Sequence, residues 1–174
     1  VVQFLVASGA SALSVNYKGE TPLYMALASL TSTTVFELLL VYGYPLSSKS
    51  IRSVFLCAVA LGHFAALELL LPILPPQECT AVDAETGDTA LHLCIRHGHA
   101  EKCIPLLLCC KQSQLVAIEN AHLVTPLFLA IHLNDAIALK TLLTHGGDPN
   151  ERNRRNESAL FAALVKSKLA CVRV

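Results

Sequence analysis

The chain has 174 residues, 53% of them hydrophobic and 15% charged, with 13 basic and 13 acidic side chains and a formal net charge of zero. Its mean hydropathy is +0.53. Balanced charge excludes a global field drawing the chain to nucleic acid or to a membrane surface, and the length suits one compact domain.

Residues 1–8 predict a short helix with Val2, Leu5 and Val6 on one stripe, ended by Gly9. Thr21-Pro22-Leu23 then opens a helix with Pro at its first position, where no N–H is missed. A second helix with Val35, Leu39 and Leu40 follows and stops at Gly43. Ser53 opens a similar pair, joined by a Gly62-His63 turn and carrying Leu67, Leu70 and Leu71. Pro72, Pro75 and Pro76 then predict an irregular excursion. The stretch from Val54 to Leu74 has about the length and apolarity of a membrane span. The Gly62-His63 turn and the closing prolines favour two packed helices instead.

The stretch from Gly87 to His99 is the clearest. Thr89 has a hydroxyl able to cap a helix start. Leu91, Leu93, Cys94 and Ile95 supply its apolar positions, and Gly98 ends it. Cys103, Leu106 and Leu107 mark the second helix. In the loop from Lys111 to Val124, the apolar Leu115, Val116 and Ile118 predict an extended hairpin. Thr125-Pro126-Leu127 opens the next pair, with Asn134 at the turn, Leu139, Leu142 and Leu143 on the stripe, and Gly146 as the stop. Ser158-Ala159-Leu160 opens a last one.

The openers Thr21, Ser53, Thr89, Thr125 and Ser158 are spaced 32, 36, 36 and 33 residues apart. Their segments read TPLYMAL, SVFLCAV, TALHLCI, TPLFLAI and SALFAAL; Gly147 to Asn150 reads GDPN. In period and pattern the chain resembles the ankyrin repeat family. Only His92 keeps the family's motif His; Tyr24, Leu56, Phe128 and Phe161 replace it. The resemblance implies an all-α solenoid of stacked helix–turn–helix repeats with hairpin-like loops. It divides residues 1–174 into a partial repeat 1–20, repeats at about 21–52, 53–88, 89–124 and 125–157, and a partial repeat 158–174. Neither end shows a polar capping unit, so the reading expects an excerpt of a longer array.

Catalytic and metal chemistry find little support. His92, His97, His99, Cys94 and Cys103 are the densest metal-capable group, but no paired zinc-ligand spacing occurs. Cys109-Cys110 has no base placed beside it. No Gly-rich phosphate loop is present. No cofactor and no catalytic residue are expected. The seven cysteines, without a staple spacing, read as reduced and mostly buried, which points to the cytoplasm or the nucleus. No leader resembling a signal peptide is seen. The run Arg152-Asn-Arg-Arg155 is the one basic cluster, flanked by Glu151 and Glu157 without an aromatic neighbour in sequence. It reads as a solvated loop contributing to a protein contact.

The family resemblance also implies a concave binding face of loop tips and first helices. Carried over by position, it selects Tyr17, Lys18, Glu20, Arg52, Glu85, Asp88, Arg96, His97, His122, His132, Arg154, Arg155, Glu157 and Lys166. The expected partner is a protein with an apolar centre flanked by acidic residues. Asn150, at the family's loop Asn position, is an expected hydroxylation site.

Overall fold

The computed structural model describes residues 1–11, 14–28, 33–43, 48–109, 113–165 and 169–172. The chain divides into two compact units, Val1–Glu78 and Cys79–Val174. Among the described residues the elements are helical; extended backbone pairs only as the isolated bridges Val82–Thr89 and Arg152–Ser158.

The first unit contains α1 (Val2–Ala7), α2 (Pro22–Ala28), α3 (Thr33–Gly43), α4 (Ser48–Leu61), α5 (Phe64–Leu70) and all but the last residue of α6 (Pro76–Cys79). Helix α2 packs on α3 and α4, and α5 packs on α3 and α4. Their apolar stripes meet through Leu23, Leu27, Phe36, Val54, Phe55, Leu67 and Leu70, all buried. Each such side chain contributes about 2 kcal/mol when withdrawn from water. The Thr21 hydroxyl accepts from the Tyr24 N–H, as its opening position predicts. His63 starts α5, its Nδ1 accepting from the Ala66 N–H.

Two expectations fail in this unit. Helix α4 begins at Ser48, so Ser53 lies inside it instead of opening it. No Gly or Pro separates Ser48 from Val54, and the stretch continues helically. The proline segment is likewise not wholly irregular: Pro76 starts the single turn α6, and the largely buried Glu78 carboxylate is met by Arg52 Nε at 2.9 Å.

In the second unit the first helices stack, α7 (Ala90–Arg96) on α9 (Pro126–Leu133) and α9 on α11 (Ala159–Val165). The second helices stack beside them: α8 (Ala100–Leu108) on α10 (Ala136–Thr144), and α10 on α12 (Leu169–Val172). Gly98 and Asn134 make the turns within their pairs, with φ of 77° and 59°. Asp135 caps α10 by accepting from the Ala138 N–H. The hairpin expected around Leu115 is replaced by a 3-10 turn, Ser113–Ala117. Leu115 is buried there, so one tight turn removes its side chain from water more effectively than an exposed ribbon would. On α11 the residues Leu160, Phe161 and Leu164 are exposed, whereas Leu127, Phe128 and Ile131 at the corresponding positions of α9 are buried.

Loops share one construction that the sequence reading missed. Asn16, Asn120 and Asn153 each donate a backbone N–H to the carbonyl four residues on, and each accepts through Oδ1 from the N–H groups two and four residues on. Asp83 replaces them in a loop one residue longer, its Oδ2 accepting from the Glu85 and Thr86 N–H groups. These are Asx turns, in which a short polar side chain stands in for a backbone acceptor. Each loop then needs one residue with positive φ: Gly19 (80°), Gly87 (65°), Leu123 (61°) and Asn156 (61°). For Leu123 this conformation costs about 1–2 kcal/mol.

His92 joins α7 to the loop that precedes α9. Its Nε2 lies 2.8 Å from the carbonyl oxygen of Val124, which can only accept, so Nε2 carries the proton. Nδ1 is then the acceptor, 3.3 Å from the Thr89 N and 2.8 Å from its Oγ1. Burial pushes the imidazole pKa below its ordinary value; the Val124 carbonyl and Asp88 oppose the shift without cancelling it. Truncating His92→Ala leaves the buried Thr89 hydroxyl and the Val124 carbonyl without this partner. Urea unfolding is expected to show a loss of about 2–3 kcal/mol. Since the folded pKa is depressed, the His92 contribution is complete above the unfolded value of about 6.5 and declines as pH falls below it. The wild-type midpoint should fall with acidification over that window, and the His92→Ala midpoint should fall less.

Candidate functional site

The loops before α9 and α11 enclose a cleft of about 280 Å³. Glu119, His122, Leu123, Val124 and Thr125 form one wall, with Phe128 and His132 of α9 at its base; Arg152, Asn153, Arg154, Arg155 and Glu157 form the other. Five residues selected from the sequence therefore meet in one place: His122, His132, Arg154, Arg155 and Glu157. Leu123 and Glu119 were not selected, because carry-over by position takes only fixed offsets from the opener.

Charge in the cleft is partly spent internally. Arg154 Nη2 meets Glu119 Oε2 at 3.0 Å across 35 residues of sequence. The pair is solvent-exposed and worth less than about 1 kcal/mol. Arg152 donates to the Asn156 carbonyl, and the Asn153 amide donates to Glu157 Oε2. Arg155 is exposed and makes no ion pair among the described residues. The Thr125 hydroxyl is buried without a hydrogen bond. Its helix carries Phe128 where α7 carries His92, so the partner that Thr89 has is missing. An approach to Glu151, whose carboxyl burial pushes up and the Thr125 hydroxyl pulls back, falls short of hydrogen-bond geometry. The sequence shows no aromatic beside the basic run, yet the fold brings Phe128 and Phe161 against it.

Other selected residues lie elsewhere. Tyr17 is almost wholly exposed at the loop before α2, with Lys18 Nζ 5.8 Å from its ring centre, and Glu20 accepts from the Asn16 amide. Arg52 sits on α4, not at a loop tip, and is paired with Glu78. Asp88 departs furthest from the expected surface position: its carboxylate is fully buried. It accepts from Arg96 at 2.8–2.9 Å and from the Asn120 amide at 2.7 Å. A buried carboxylate must be compensated in this way. Asp88, itself compensated by Arg96, therefore holds the loop 119–125 in place through Asn120. Glu85 and His97 are exposed. Asn150 is exposed in a turn, its N–H bonded to Asp148 Oδ1. Lys166 lies outside the described residues.

No group of three or more metal-capable side chains is present among the described residues, and no described helix is long and apolar enough to cross a membrane. Cys94 and Cys103 are buried, which raises both thiol pKa values, Cys103 to about 11. Cys109 differs from the packed position expected for it and is exposed; its neighbour Cys110 lies outside the described residues.

Residues 55–153 match the family model for ankyrin repeats in three copies. The chain belongs to the ankyrin repeat family, and the all-α solenoid expected from the sequence is its fold. It is 32% identical to human NF-kappa-B inhibitor epsilon over 105 residues, which cover 58% of this chain and 20% of that protein. It is 25% identical to mouse Rabankyrin-5 over 165 residues, 91% of this chain and 13% of that protein. The chain thus spans about a fifth of these relatives or less. Among solved structures, the ankyrin repeat domain of Bcl-3 superposes with a TM-score of 0.80 at 22% identity, over 99% of this chain and 75% of that one. The ankyrin repeat protein EF0377 gives 0.79 at 21% identity, over 98% and 87%. These two likenesses establish the fold.

The thiol environments have a measurable consequence. In native protein at about pH 7, maleimide should modify Cys109 rapidly while Cys94 and Cys103 react only after denaturation. Peptide mapping by mass spectrometry reads the order; prompt labelling of Cys94 would contradict the packing described.

Proposed function

We propose that this chain is a non-catalytic protein–protein interaction module, and that the cleft between the loops before α9 and α11 is its principal contact. The observation that carries the reading is the convergence of His122, His132, Arg154 and Arg155 on one concavity with an apolar base. Ankyrin repeats are typically interaction modules, and one relative is named as an inhibitor of another protein, NF-kappa-B. Both support a protein partner.

The partner's chemistry follows from what the cleft leaves unsatisfied. Three arginines face two carboxylates that are already engaged, by Arg154 and by Asn153. The base is apolar through Val124 and Phe128. An apolar segment flanked by acidic residues fits this arrangement. Nucleic acid fits it less well, because Glu119 and Glu157 oppose a phosphate backbone. No cofactor enters this reading. A cytoplasmic or nuclear setting is part of this proposal and rests on the cysteine spacing of the sequence alone. Asn150, exposed on its turn, remains the proposed hydroxylation position.

A second reading is favoured by the short share of each relative that this chain spans. In it the repeats dock a regulator for an enzyme or channel whose activity lies outside residues 1–174.

Affinity capture from a cell lysate with two baits tests the first reading. One bait is the chain itself; the other carries Arg154→Glu and Arg155→Glu, with its fold checked by circular dichroism. Proteins held by the first and lost by the second are the expected outcome. Identical captures would remove the cleft as the binding site, and strongly salt-dependent DNA binding would replace the protein partner with nucleic acid.

A further inference from the structure

We infer that Leu123 is the apolar anchor of the cleft, held on a strained backbone so that a partner's apolar side chain, flanked by carboxylates, closes over it. The inference rests on the reading of the cleft as a protein-binding site, and adds the residue that would set its specificity.

Two independent observations meet at Leu123. The first is its backbone. In four described loops the same hydrogen bond returns from the left-handed residue to the carbonyl of the Asx residue: Gly19 to Asn16, Gly87 to Asp83, Leu123 to Asn120 and Asn156 to Asn153. Gly and Asn enter the left-handed region at little cost. Leu does not, so its presence at a φ of 61° opposes the local preference that the other three loops satisfy. The second observation is its surroundings. Folding withdraws Leu123 from water only in part, for 44% of it stays exposed. The side chain lines the cleft with Val124 and Phe128 on the apolar side and His122 and Arg155 on the polar side. A residue that strains the loop while leaving nearly half of its surface in water gains little from being Leu in the free protein. Covering it with a partner would supply the missing burial, as at interface residues that carry most of the binding energy.

The loop also holds that side chain in place. The Asn120 side chain accepts from the N–H groups on both sides of Leu123, at His122 and Val124. The Asn120 amide is tied to buried Asp88, and the Ala121 N–H donates to the Thr86 carbonyl in the preceding loop. Leu123 is therefore presented on a fixed turn. The charge complement identifies the flanks of the occupant: Arg155 makes no ion pair among the described residues, and the exposed Arg154–Glu119 pair opens at little cost.

The test uses random peptides displayed on phage, selected on the wild-type chain. Enriched sequences are expected to carry a Leu, Ile, Met or Phe with Asp or Glu close on either side. Their affinities are then measured against three variants. Leu123→Asn places the residue of the fourth loop in the strained position, and should leave the thermal midpoint unchanged or raise it. It should nevertheless weaken peptide binding by about tenfold. Leu123→Ala keeps the strain and removes the side chain, so it should lose binding to the same degree. Arg155→Glu should also lose binding. If Arg155→Glu abolishes binding and both Leu123 variants retain it, the cleft binds the peptide and the anchor is rejected. If none of the three matters, or if no acidic-apolar sequence is enriched, the anchor and the cleft reading fail together.

Discussion

The arrangement of the second unit depends on groups that satisfy their hydrogen bonds one repeat further along the chain. A helix pair of this length cannot bury its own apolar face, so neighbouring pairs must bury it. Apolar contact alone leaves the loops between pairs unplaced. Three links from residues 86–92 to the loop 119–125 place it: His92 Nε2 to the Val124 carbonyl, Asn120 to Asp88, and Ala121 to the Thr86 carbonyl. Two of the three use buried polar groups, which are costly when unpaired and therefore specify one register. Gly87 adds a steric constraint, since a side chain there would meet the Ala121 N at 2.6 Å.

These links connect stability with function. The wall of the cleft from Glu119 to Thr125 is the loop they fix. Asp88 and Arg96 act at a distance from any ligand, by holding Asn120, whose side chain in turn organises His122 and Val124. The opposite wall, from Arg152 to Glu157, has the same Asx construction but keeps its amide for its own Glu157. Val124 stands where Glu157 stands in that loop and cannot accept from Asn120. The Asn120 amide therefore reaches back to the preceding repeat.

Much of this was legible in residue pattern. The openers Thr21 and Ser158 accept from the N–H three residues on, and Asn134 takes its turn with positive φ. His92 was legible through the family resemblance, as the one residue that keeps the motif His. Where the reading failed, a local rule gave way to tertiary context. Ser53 resembles an opener, but its surroundings continue the helix from Ser48. Leu115 has strand-like neighbours, yet burying one side chain favoured a 3-10 turn. Asp88 looked like a surface charge because its partners, Arg96 and Asn120, lie 8 and 32 residues away. The Asx residues carried a signal, an Asn or Asp five or six places before an opener, that turn chemistry alone would have found. The role of Leu123 required a φ value, which no residue pattern supplies.

The central claim is that the loop presenting the cleft is pinned by its links to the preceding repeat. Amide hydrogen exchange followed by NMR tests this most directly, at His122, Leu123 and Val124. Two of these residues are exposed, yet all three N–H groups are hydrogen-bonded to Asn120. The account predicts slow exchange at all three under native conditions, with protection approaching that of the helices on either side. Exchange at the rate of an unstructured peptide would mean that the loop is not held by the second unit's core. The cleft would then be formed by its partner and not presented to it.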